Sequence, residues 1–73
     1  MSKLPRVSGA EVVSALEKEG FRFIRQHGSH MILRRTEPFA QTTVPNHREL
    51  DRGTLRAIIR QVGLGVDEFN KLL

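Results

Sequence analysis

Apolar and polar positions change rhythm several times along the chain, and each rhythm predicts an element. Val12, Val13 and Leu16 fall on one helical face. They follow Ser8-Gly9-Ala10-Glu11, the spacing of a capping box, in which hydroxyl and carboxylate each satisfy a free backbone N–H. With Gly20 as its stop, a helix is predicted over roughly residues 9–19. Phe21 to Gln26 is rich in aromatic and β-branched residues and predicts a strand, and His27-Gly28 predicts a tight turn. His30 to Arg35 predicts a second strand. Its alternation puts His30, Ile32 and Arg34 on one face and Met31, Leu33 and Arg35 on the other. Thr36 to Ala40, with Pro38, reads as a connecting loop, and Gln41 to Val44 as a third strand closed by Pro45. Leu55, Ile58, Ile59 and Val62 then give the i, i+3, i+4, i+7 spacing of a buried helical face, the clearest periodic signal in the chain. Asp51 is its expected N-cap and Gly63 its end. Val66, Phe69 and Leu72 or Leu73 predict a short third helix, with Asp67 and Glu68 in its first turn. The order α-β-β-β-α with a short C-terminal helix predicts an α+β fold, a three-stranded antiparallel sheet with helices on one face.

Size and composition narrow the picture. The 73 residues are expected to form one domain, residues 1–73. A chain of this size buries about 60% of its unfolded surface and sits near the lower limit of independent stability. It has no Cys, so disulfides, thiolate metal sites and a Cys nucleophile are all excluded. That composition suits a reducing cytoplasm. No apolar run approaches the ~20 residues of a membrane span. Met1-Ser2-Lys3-Leu4-Pro5 does not lead into a signal-peptide core. The expectation is a soluble cytoplasmic protein without a membrane partner.

The net charge of +4 is unevenly spread. Residues 1–21 sum to zero and the tail carries −1, whereas residues 22–60 hold eight Arg against Glu37, Glu49 and Asp51. Arginine presents a planar fork of donors that fits phosphate oxygens, where lysine acts as a point charge. Charge alone therefore indicates a polyanion or an acidic partner.

Candidate chemistry centres on Arg25-Gln26-His27-Gly28-Ser29-His30. Glycine permits a turn that lets His30 project from the start of a strand, and an imidazole exchanges protons near neutrality. For RNA the natural reaction is attack of a 2′-hydroxyl on its neighbouring phosphate. That step needs a base, an acid and positive charge, which histidine and arginine supply. The competing reading is a surface imidazole in a hairpin. His27 and His47 are auxiliary candidates, the first in the turn and the second in the loop after Pro45. The histidines have no ligand spacing typical of a metal site, so neither metal nor other cofactor is expected. Arg52, Arg56 and Arg60 form one ridge centred roughly 110° from the apolar stripe of their helix. This ridge is expected at the edge of the sheet–helix joint, with the N–H groups of Gly53 and Thr54 open to a phosphate. Of Arg22, Arg25, Arg34 and Arg35, alternation lets only half share a face. With no Tyr or Trp and four Phe, phosphate contact should outweigh base stacking.

Together these segments resemble the HicA family of mRNA interferase toxins. The resemblance rests on Leu4-Pro5-Arg6-Val7-Ser8-Gly9, Gly20-Phe21, Arg25-Gln26-x-Gly28-Ser29-His30, Thr43-Val44-Pro45-x-His47 and Gly53-Thr54-Leu55-Arg56-x-Ile58-Ile59-Arg60-Gln61, in order along nearly the whole chain. It implies a double-stranded-RNA-binding-domain-like fold and a bacterial endoribonuclease that cleaves mRNA. It further implies neutralisation by a HicB-type antitoxin covering the active face. The histidine of its Gly-Ser-His motif is the catalytic one, which maps to His30 as general base or acid. Arg25, Ser29, Arg34, Arg52, Arg56 and Arg60 are the expected RNA contacts. A non-catalytic RNA-binding module of the same fold is the runner-up. A DNA-binding regulator using the second long helix is weaker, because that helix lacks a helix-turn-helix partner.

Overall fold

A computed structural model describes residues 3–73; Met1 and Ser2, included in the expected domain, lie outside the described residues. The order is α1 (Gly9–Glu17), β1 (Arg22–His27), β2 (His30–Thr36), β3 (Phe39–Pro45), α2 (Arg52–Gln61) and α3 (Val66–Leu72). The strands form one antiparallel sheet in the order β1-β2-β3. The α+β architecture expected from the sequence is the one observed.

Local chemistry explains the helices. The Ser8 hydroxyl accepts from the Glu11 N–H at 3.0 Å while the Ser8 N–H donates to the Glu11 carboxylate at 2.8 Å, the reciprocal pair of a capping box. Helix α1 stops at Glu17, two residues short of expectation, because Lys18, Glu19 and Gly20 make turn bonds back to Ala15, Leu16 and Glu17. At α2, the Asp51 carboxylate accepts from the N–H of Gly53 and Thr54 at 2.9 and 3.2 Å and from the Thr54 hydroxyl at 2.5 Å.

Helices α1 and α2 lie on one side of the sheet. Met31, Leu33 and Val44 point inward and are buried against Val12, Leu16, Leu55, Ile58 and Phe69. The buried Thr42 hydroxyl bonds the Gln61 side chain at 2.6 Å and ties β3 to α2, and Lys18 Nζ donates to the Leu72 carbonyl at 2.8 Å and ties the end of α1 to α3.

The strands depart from expectation at both hairpins. His27 belongs to β1, and the first turn is Gly28-Ser29. Gly28 has φ +61° and no non-glycine residue among those described has positive φ, the pattern of a type II′ turn. The second connection is only Glu37-Pro38, joined by a cis peptide bond, so β2 and β3 run to Thr36 and from Phe39 where a longer loop is expected.

Candidate functional site

Register decides which side chains meet on the face of the sheet that no helix covers. His27 pairs with His30, and His30 with Pro45. One step further, Arg25 pairs with Ile32 and Ile32 with Thr43. After another step, Arg22 pairs with Arg34 and Arg34 with Gln41; a last row pairs Thr36 with Phe39. Directly opposed residues share a face, so these four rows form one surface. All its members are exposed except Ile32 and Pro45, which are half-buried.

Arg22 and Arg25 are an odd number of residues apart, and plain alternation would put them on opposite faces. A β-bulge between Phe23 and Arg25 leaves Ile24 without a partner and returns both arginines to the open face. Three of the four sheet arginines therefore sit together, which corrects the expectation that only half could. Arg35 is the exception. It faces the helices, with its guanidinium carbon 4.6 Å from the centroid of the Phe21 ring and its Nε donating to the Pro38 carbonyl at 3.0 Å. Arg34 is held differently, its Nε donating across the sheet to the Gln41 side chain at 2.9 Å.

The histidines gather at one end. Opposed residues in an antiparallel pair have Cα atoms about 4.5–5.5 Å apart, so the rings of His27 and His30 start as close neighbours. The Asn46 N–H donates to the Ser29 carbonyl at 2.6 Å, which lays the segment carrying His47 beside the Gly28-Ser29 turn. That segment is also pinned to α1, where Gly9 N–H donates to the His47 carbonyl at 2.9 Å and Leu50 N–H to the Val7 carbonyl at 2.9 Å. Among the described residues no three His, Asp or Glu side chains converge into a group that could hold a metal ion.

The helical arginines go elsewhere. The groove between β3 and α2 is lined by Thr42, Thr54, Ala57 and Gln61, while Arg56 and Arg60 border Leu64, Gly65 and Val66 on the other flank of α2. The ridge of Arg52, Arg56 and Arg60 is exposed, but it lies in the helical layer rather than at the joint with the sheet, and so away from the face that carries His30. Nor is the start of α2 open to a phosphate. Asp51 already takes the Gly53 and Thr54 N–H groups. The Thr54 hydroxyl first, then the N–H groups of Thr54 and Gly53, hold its carboxyl below the ordinary carboxylate range. An anionic oxygen there repels a second anion.

Sequence reasoning misses Gln41 and Asn46 as members or supports of this surface, and names Arg22 only among four sheet arginines of which half could share a face. The alternation that placed Arg34 would have found Gln41 had the second turn been read as two residues. Arg22 depends on the bulge, which has no sequence signature here. Comparison with curated proteins gives no match. A family model described as the HicA toxin of bacterial toxin–antitoxin matches residues 9–64, a span from the first residue of α1 to just past α2. With most of its length so matched, the chain belongs to the HicA toxins, the toxin half of a pair whose other member is an antitoxin.

Proposed function

We propose that this toxin is a metal-independent endoribonuclease that cleaves mRNA on the open face of its sheet, with His30 as general base or acid. In that reaction the 2′-hydroxyl oxygen bonds to the adjacent phosphorus as the bond to the 5′-oxygen breaks. One group takes the 2′ proton and another returns a proton to the leaving oxygen. His30 fills one role, and His27, opposed to it across the hairpin, is the nearest candidate for the other. Arg25 and Arg34 supply positive charge for the phosphate on the same face, and Ser29 lies in the turn beside it. His47 is an auxiliary candidate on the adjoining loop. Arg52, Arg56 and Arg60 would contact RNA flanking the cleaved stretch. The antitoxin is of HicB type and would neutralise the toxin by covering this face.

The observation that carries the reading is the convergence of two imidazoles and three guanidiniums on a face with no carboxylate in any strand. A metal-free route suits that donor set, which offers proton-transfer groups and fixed positive charge.

The test is cleavage of a labelled RNA by the wild-type chain and by His30→Ala, each with EDTA. Wild type should cleave in chelator and leave a 2′,3′-cyclic phosphate or 3′-phosphate end, and the variant should lose activity by at least about 100-fold. An equally active variant refutes the role of His30. Loss of wild-type activity in EDTA refutes the metal-free route. An inactive wild type that still binds RNA returns the reading to a pure RNA-binding module.

A further inference from the structure

We propose that the open sheet face is a track for a single RNA strand, running from the His27–His30 end to Phe39, with Arg22, Arg25 and Arg34 on phosphates and Phe39 stacking a base. This rests on the RNA reading above and extends it to the form of the substrate. The four rows are two residues apart along the strands, which makes the face about 20 Å long and about 10 Å between its outer strands. Those dimensions fit one strand lying flat, with about four nucleotides in contact, the lower end of what an OB fold holds.

Three features select a single strand over a duplex. Phe39 is 69% exposed at the end of the face, on the same side as the arginines, and nothing in the core uses its ring. A duplex keeps its bases stacked inside and offers such a ring nothing but backbone, whereas a single strand can lay a base on it. Arginines occupy the second and third rows, between the two imidazoles of the first and the Phe39 ring of the fourth, so charge and ring follow one another along the strand direction as phosphate and base do. Attack by a 2′-hydroxyl also needs that oxygen, phosphorus and the 5′-oxygen in line, a geometry a loose strand reaches and a stacked A-form helix does not. The Glu37-Pro38 turn ends the track, because the Glu37 carboxylate beyond Phe39 repels the next phosphate. Gln41 is a positioning residue, holding the Arg34 guanidinium across β2 and β3.

The experiment measures fluorescence anisotropy of a labelled, unstructured RNA hexamer and of the same sequence as a blunt duplex, on the full chain carrying His30→Ala. The single strand should bind at least ten-fold tighter than the duplex. In that background Phe39→Ala should weaken single-strand binding five-fold or more without changing the salt slope, since stacking releases no counterions. Arg22→Gln should make the slope of log K against log salt shallower by about 0.7, the share of one phosphate on a single strand. Both side chains are exposed, and circular dichroism of each variant reports whether the fold is kept. Equal or tighter duplex binding, an inert Phe39→Ala or an unchanged slope in Arg22→Gln overturns the track. Cleavage by wild type is read separately. Cleavage with duplex preference sinks the track alone, and single-strand binding without cleavage sinks only the nuclease reading.

Discussion

At the scale of single residues, two glycines hold the histidine end of the sheet in place for different reasons. Gly28 stands at φ +61° in a two-residue turn, a conformation that side chains with a Cβ resist, and it sets His30 opposite His27. Gly9 is needed for space. A Cβ there would lie 2.0 Å from the Pro45 carbonyl oxygen, which is backbone and cannot swing away. Gly9→Ala must push α1 from the 45–50 segment and stretch the bond from Gly9 N–H to His47. By analogy with overpacked cores, about 1–3 kcal/mol should be lost, and a thermal melt should fall by roughly 5–20 °C. An unchanged melting temperature would mean the contact is slack. The role of Gly28 is legible in the sequence as a turn before a histidine. That of Gly9 is not, because it reads as an ordinary capping-box residue and its partner lies far along the chain, at the end of β3.

At the scale of elements, the sequence is most legible where local chemistry closes on itself. The capping box of α1, the apolar stripe of α2 and the inward Met31 and Leu33 all follow from spacing alone. It is least legible where pairing decides: the bulge at Ile24 and the two-residue Glu37-Pro38 turn arise from how strands meet, and they place Arg22, Gln41 and Phe39 on the site's face. The N-cap of α2 joins the two regimes. Asp51 reads from the sequence as a cap, but a cap that keeps its charge also closes the helix start to phosphate. Its folded-state carboxyl is held below the ordinary value, so the stabilisation it gives is fully present above about pH 4 and is lost as pH falls through the lowered folded value. Asp51→Asn keeps an oxygen acceptor and cannot titrate. Its melting temperature should lie below that of wild type at pH 7, and the gap should close as the pH is lowered below about 4. A gap that widens on acidification would assign Asp51 the opposite sign.

At the scale of the whole molecule, charge is sorted by layer. All eight acidic side chains lie in helices, turns or loops and none in a strand, while six of the nine arginines divide equally between the open sheet face and the ridge on α2. This division predicts a salt dependence that changes with RNA length. A short strand held only by Arg22, Arg25 and Arg34 neutralises three phosphates and has a slope near −2, so a rise from 50 to 200 mM salt should weaken it about 20-fold. An RNA long enough to leave the sheet and reach Arg52, Arg56 and Arg60 neutralises about six, and the same rise should weaken it several-hundred-fold. Replacing the three ridge arginines by Gln should bring the long RNA back to the short one's slope and leave the short RNA untouched. Equal slopes at both lengths would remove the ridge from RNA binding altogether. A short RNA that responded to the ridge substitutions would instead mean that the two layers reach one substrate segment, which the separation of α2 from the open face does not allow.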